Sequence, residues 1–229
     1  MPDPAGADAS DRPSVTAVVP ARNEAARIGA TVEELRRHVD EIVVVDDASD
    51  DETAALAAAA GAVVICNEAR LGYIGAVRRG FAAASGEVVV TVDADGEMPV
   101  ERIAELVAPI AAGLADMVQG HRSHVPRVSE RLVTAIAGLG AGVGDSGTGF
   151  RAMRTGLARD LEIRGSCICG SMTLEARARG ARLAEIPVVA RQVPGRGRRI
   201  AWNHLGQALL VARLALALRL GRRPAQRGR

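Results

Sequence analysis

An α/β fold, a mostly parallel sheet with helices on both faces, is predicted by three observations on this 229-residue chain. Short apolar, β-branched runs alternate with helical patterns four times before residue 93, the pattern of strands joined by crossover helices. Clusters of polar residues follow the carboxyl-terminal ends of three of those runs, the rim on which open parallel sheets bind ligands. Aromatic residues make up only 2% of the chain, so its core must be built from Val, Leu, Ile and Ala.

The elements follow in order. Residues 14–19 form a short apolar strand closed by Pro20-Ala21-Arg22-Asn23-Glu24. Ala25, Ile28, Val32 and Leu35 then recur at helical spacing. Residues 41–45 are a second buried strand ending in Asp46-Asp47, and Ser49 with Glu52 matches a capping box for a helix that Gly61 ends. Residues 62–66 are a third strand, and Gly72 and Gly75 open a helix through Ala84. The run 87–92 is apolar enough to be buried on both faces. Beyond it, 99–112 reads as a helix, 116–119 and 150–153 as short strands, 169–179 as a helix and 182–191 as the last strand. A glycine-rich stretch from Gly138 to Gly149 lies between them. Residues 1–13 read as a disordered tail, 14–200 as one domain, 201–221 as an apolar helix and 222–229 as a basic tail.

Composition narrows the chemistry. All 29 basic residues are Arg, which excludes a P-loop or a Schiff-base lysine. A net charge of +2 makes no case for nucleic acid. Three cysteines without a C-x-x-C pair argue against a disulfide framework and fit a cytoplasmic setting. Gly144-Asp145-Ser146-Gly147 has the letters of a serine-protease nucleophile segment but not the all-β context. His121 and His124 lack further metal ligands nearby in sequence.

Asp93, Asp95 and Glu97 stand at alternate positions, so in an extended chain they point the same way. Two readings stand side by side: an Asp-Gly turn closing a core strand, and hard oxygen ligands for Mg²⁺ or Mn²⁺. The helix at 203–220 also has two readings. Arg213 and Arg219 argue against a membrane span, which leaves packing in the core or an oligomer interface, or a helix lying on an anionic membrane surface.

Six segments in order carry a resemblance. Val-Val-Pro-Ala-Arg-Asn-Glu (18–24), Val-Val-Val-Asp-Asp-Ala-Ser-Asp-Asp-Glu-Thr (43–53), Leu-Gly-Tyr-Ile-Gly-Ala (71–76) and Val-Asp-Ala-Asp-Gly-Glu (92–97) are similar to segments of the family 2 glycosyltransferases of the GT-A (Rossmann-like) fold. Asp-Ser-Gly-Thr-Gly-Phe-Arg (145–151) and Glu-Ile-Pro-Val-Val-Ala-Arg (185–191) resemble the dolichyl-phosphate mannose/glucose synthase branch. The resemblance implies transfer of a sugar from a nucleotide-sugar donor, of GDP-mannose or UDP-glucose type, to a polyprenyl phosphate acceptor met at a membrane surface. It implies that Pro20, Arg22, Asn23, Glu24, Asp46, Asp47, Gly72 and Asp93 hold the nucleotide. Asp93, Asp95 and Glu97 would hold the metal, Glu97 standing where an amide is usual. Arg122, Arg131, Arg191 and Arg198 would bind the acceptor phosphate. Asp95, Arg122, Arg151 and Glu175 are the implied catalytic set. Glu175 falls where relatives with hydroxyl acceptors place a Glu-Asp pair, but Ala176 follows it. An ionised phosphate needs no general base, so the missing Asp favours a phosphate acceptor.

Overall fold

A computed structural model describes residues 12–123, 128–165, 167–191 and 203–220. The strands are β1 (Val15–Ala21), β2 (Glu41–Asp46), β3 (Val63–Cys66), β4 (Val88–Thr91), β5 (Met117–Arg122), β6 (Arg151–Arg154) and β7 (Leu183–Val188). The helices are α1 (Ile28–Leu35), α2 (Thr53–Ala59), α3 (Gly72–Ala83), α4 (Ile103–Ala111), α5 (Val128–Ala141), α6 (Thr155–Asp160), α7 (Ser171–Ala178) and α8 (Asn203–Arg219). One seven-stranded sheet runs in the order β3-β2-β1-β4-β6-β5-β7.

The first four strands are mutually parallel, as their crossover helices require. β6 is antiparallel to both β4 and β5, and β7 returns parallel to β5. Successive residues of the central strands enter opposite layers, as the pleat dictates. Val88 and Val90 join a core with α1, α2 and α4, whereas Val18 and Val89 join one with α3, α6 and α7.

β1 runs two residues further than its apolar run suggests and takes in Pro20, which is in register with Val45. Pro20 faces the side on which β4 has already ended, since the last bond there is Val92 N–H to the Val18 carbonyl (3.1 Å). The missing proline N–H therefore costs no ladder bond.

One local expectation fails. Ser49 does not cap a helix, because α2 starts at Thr53 and its cap position, Glu52, makes no side-chain cap bond. Ser49 belongs to the loop, with its hydroxyl bonded to Asp46. Gly61 does end that helix turn, at φ +96°. The glycine-rich stretch is not irregular at its start, for α5 runs through Gly138 and Gly140 to Ala141. A Cβ on Gly140 would lie 2.8 Å from Leu174 Cδ2 and 3.0 Å from Ala215 Cα. Close helix packing against α7 and α8 therefore overrides weak propensity there.

Gly80 of α3 lies against β1 in the same way, with an added Cβ 2.2 Å from the fully buried Val18 Cγ1. Gly→Ala inside a helix normally stabilises, but overpacking a rigid β-branched contact costs about 1–3 kcal/mol. Gly80→Ala is expected to lower the urea midpoint. A midpoint at or above wild type would show that α3 can move off the sheet.

Candidate active site

Three loops leave the carboxyl-terminal ends of β1, β2 and β4, and the first two are laced together. Asn23 N–H donates to Ser49 Oγ (3.0 Å), and Asn23 Oδ1 accepts from Asp50 N–H (2.9 Å). Glu24 N–H donates to Thr53 Oγ1 (2.8 Å) and Ala25 N–H to Asp51 Oδ2 (3.2 Å). Asn23 and Ala48 adopt left-handed backbone at φ +54° and +55°, which brings the loops close enough to exchange these bonds. Asp46 is buried and accepts from Ser49 N–H (3.3 Å) and its hydroxyl. Asn23 and Asp46 thus brace these loops and are not among the residues that line the site's cleft.

In front of them is a cleft of about 310 Å³. Six of the residues expected to hold the nucleotide line it: Pro20, Arg22, Glu24, Asp47, Gly72 and Asp93. Asp47 also closes the loop before α3, taking Asn67 Nδ2 (2.8 Å) and Leu71 N–H (2.7 Å) on one oxygen and Gly72 N–H (2.8 Å) on the other. Arg70 and Tyr73, on either side of Leu71-Gly72, line the cleft too. Arg70 lies just outside the 71–76 motif, and Tyr73 lies within it, but the resemblance assigns it no role.

Asp93 is fixed from two directions. Tyr73 OH donates to Asp93 Oδ1 at 2.9 Å. Burial, then the Asp93 charge, pushes the Tyr73 phenol well above its ordinary value. On the other side is Gly149, where an added Cβ would lie 2.5 Å from Asp93 Oδ2. The fully buried Thr91 donates its hydroxyl to the Gly149 carbonyl (2.6 Å) and holds that backbone in place.

The extended geometry expected for Asp93, Asp95 and Glu97 is not found. β4 ends at Thr91, Gly96 has φ +74°, and Asp95 Oδ1 accepts Glu97 N–H (3.0 Å), so the segment turns and the alternation is lost. Asp95 is buried and is not among the cleft-lining residues, and Glu97 is half-buried, its carbonyl accepting Arg191 N–H (2.8 Å). Among the described residues no three His, Cys, Asp or Glu side chains gather as a metal site. A cation here therefore fits the pattern in which one or two carboxylates share it with substrate phosphates.

A second polar group is centred on Arg122 at the end of β5. Its guanidinium grips Asp145 through Nε (2.7 Å) and Nη2 (3.0 Å), and its N–H adds a third bond (3.1 Å). Burial opposes the Asp145 charge, but the Arg122 bonds outweigh it and hold the carboxyl below its ordinary value. Glu185 positions that loop by accepting Gly144 N–H (2.7 Å) and Asp145 N–H (2.9 Å).

The remaining predicted residues lie apart from the cleft lining. Arg151 is fully buried, bonded to the Ser146 carbonyl (2.7 Å) and Met172 Sδ (3.1 Å), and its Nε has no hydrogen-bond partner among the described residues. Glu175 is buried and accepts the N–H groups of Glu162, Ile163 and Arg164 (3.1, 3.0 and 2.8 Å), so it shapes a turn. Arg191 is paired with Glu34 (2.8 Å) and Glu101. Arg131 is exposed on α5, and Arg198 lies outside the described residues.

Residues 16–174 match the model of glycosyl transferase family 2. The chain belongs to that family. A dolichyl-phosphate hexose transferase of Haloferax volcanii is 33% identical over 135 residues, 54% of this chain and 59% of that protein, so the match spans less than two thirds of the relative. Among solved structures, glucosyl-3-phosphoglycerate synthase from Mycobacterium tuberculosis in complex with phosphoglyceric acid superposes with a TM-score of 0.73. Identity is 25%, over 90% of this chain and 80% of that one. The same enzyme in complex with Mn²⁺, UDP and glucosyl-3-phosphoglycerate gives 0.72 at 25% identity, over 93% and 81%. These glycosyltransferases share the sheet plan described above.

The grip of Arg122 on Asp145 makes stability depend on acid. Because the folded Asp145 carboxyl sits below its ordinary value of 3.8, its contribution is present above that value. It is lost as pH falls through the lower folded one. Arg122→Ala strands a buried carboxylate and is expected to cost about 3–5 kcal/mol at neutral pH. Its acid-unfolding midpoint, followed by circular dichroism, should move to higher pH. An unchanged midpoint would mean that other groups hold Asp145.

Proposed function

We propose that this family 2 glycosyltransferase moves a hexose from a nucleotide sugar, of UDP-glucose or GDP-mannose type, to a polyprenyl monophosphate. The reading rests above all on the cleft at the ends of β1, β2 and β4, where Asp47 and Asp93 share one lining with Arg22 and Arg70. The Haloferax relative's name supports a lipid-linked phosphate acceptor. The Mn²⁺ and UDP of the mycobacterial complex support a divalent metal and a nucleoside diphosphate.

Asp93 and Asp95 would hold Mg²⁺ or Mn²⁺ together with diphosphate oxygens, and the cation would supply Lewis-acid stabilisation of the leaving group. The chain's own part is positional. Asp47 presents the ordered loop at Gly72, and the loops laced through Asn23 fix one wall of the cleft. Arg122 stands at the end of β5 as the cation for the acceptor phosphate. An acceptor phosphate oxygen attacks the anomeric carbon as its bond to the diphosphate breaks, and the electron pair leaves with the nucleoside diphosphate. Direct attack inverts the anomeric centre. No proton has to be removed, because a phosphate monoester is largely ionised at neutral pH. Glu175, spent on three backbone N–H groups, is poorly placed to act as a base.

A soluble, phosphorylated acceptor is the second reading. It is favoured by the 93% coverage of this chain in the complex that holds glucosyl-3-phosphoglycerate. Incubation with labelled nucleotide sugars, polyprenyl phosphates and phosphoglycerate separates the two. Label in the organic phase supports the lipid acceptor, and label confined to the aqueous product overturns it.

Asp93→Ala is expected to lower metal-dependent transfer by about 100-fold or more. Gly149→Ala, which pushes Asp93 aside, and Tyr73→Phe, which releases it, should each cost about 10–100-fold, the usual range for residues that orient a ligand. Full activity in Asp93→Ala would sink the assignment.

A further inference from the structure

The apolar helix α8 has two different sides. Its inward side carries Gln207, Val211, Leu214 and Ala215, all buried against α5 and α7. Gln207 Nε2 donates to the carbonyls of Cys167 and Cys169, both at 2.9 Å, which fixes the rotation of the helix. Its outward side is unusual. Leu209, Leu216 and the following Leu220 are 57%, 58% and 61% exposed, and at about 100° per residue they fall in one narrow stripe with Arg213. α5 adds Leu132 and Leu139, 58% and 62% exposed. Arg219 Nε donates to the Leu139 carbonyl (3.1 Å), joining the two helices at that end. These five leucines are half of the ten large exposed apolar side chains among the described residues, so the exposure is concentrated rather than scattered.

Charge decides what covers the stripe. No Asp or Glu occurs after Glu185, while ten arginines do, four of them in residues 222–229. Two copies meeting through α8 would bring these acid-free segments together with no carboxylate between them. An anionic surface meets both features, since leucines enter the acyl boundary and arginines stay with the headgroups.

We propose that the outward side of α5 and α8 is a docking surface for an anionic lipid membrane, on which the protein lies without spanning it. Among the described residues no helix is long and apolar enough to cross. The proposal deepens the lipid-acceptor reading by naming the face that meets the lipid, but its test uses neither donor nor acceptor. Flotation of the full chain with vesicles of phosphatidylcholine, with and without phosphatidylglycerol, measures it directly. Binding is expected only with the anionic lipid. Leu209→Gln/Leu216→Gln/Leu220→Gln, checked for folding by circular dichroism, should weaken it about 100-fold, the scale expected from removing three half-inserted leucines. Arg213→Gln, Arg222→Gln and Arg223→Gln should each weaken it about fivefold. Absence of binding by the wild-type chain, or equal binding by the leucine variant, overturns the proposal. A dimer in sedimentation that the leucine variant dissociates, without vesicle binding, overturns it in favour of a self-interface. If transfer to polyprenyl phosphate fails while anionic vesicles still bind, the acceptor reading falls and the docking surface stands.

Discussion

The cleft depends on one close approach, that of Gly149 to Asp93. A single added carbon at Gly149 would sit 2.5 Å from the carboxylate. The approach exists because β6 runs antiparallel beside β4, pairing Arg151 with Thr91, so the residues just before β6 pass over the end of β4. Thr91 then takes the Gly149 carbonyl with its hydroxyl (2.6 Å). The first half of the sheet supplies the acid and the second half supplies the backbone that holds it. Reversing one strand makes a single site out of two stretches of chain about 56 residues apart.

Most carboxylates near that rim serve as loop anchors. Asp47, Asp145, Glu175 and Glu185 each accept at least three hydrogen bonds, at least two of them from backbone N–H groups. Hydrogen bonds to a charged group contribute about 1.5–3 kcal/mol each, and a buried charge without them would not persist. Loops that carry little apolar surface of their own are thereby held without a hydrophobic core.

Much of this was legible in the sequence, and the failures share a cause. The parallel order of β1 to β4 and the gathering of Pro20, Arg22, Glu24, Asp47 and Asp93 follow from strand–helix alternation with polar strand ends, which is local information, whereas Gly72 was implied by the family resemblance. What failed needed knowledge of contacts across the chain. The glycine-rich stretch gave no helix signal, yet α5 runs through it and uses the missing side chain of Gly140 for contact with α7 and α8. For Asp93 to Glu97 the Asp-Gly turn, one of the two readings, is what forms, so the alternation that would have aligned the three acids is absent. Arg151 read as catalytic, yet it is buried beside Met172. Tyr73 stands inside a motif, yet nothing in the sequence aimed its hydroxyl at Asp93, a contact that only the fold makes.

α8 packs one side on the protein and leaves the other exposed. Gln207 looked like an interruption of an apolar helix, but it faces inward and bonds to the carbonyls of Cys167 and Cys169. The polar residue inside and the leucines outside reverse the usual amphipathic order. A helix pinned by a buried amide cannot rotate to hide its leucines without breaking those bonds and burying Arg213 instead. Leaving Gln207 unsatisfied would cost about 1–3 kcal/mol, and an unpaired guanidinium would cost more. The outward stripe is therefore held in place by the fold itself, and whatever covers it must come from outside the described residues.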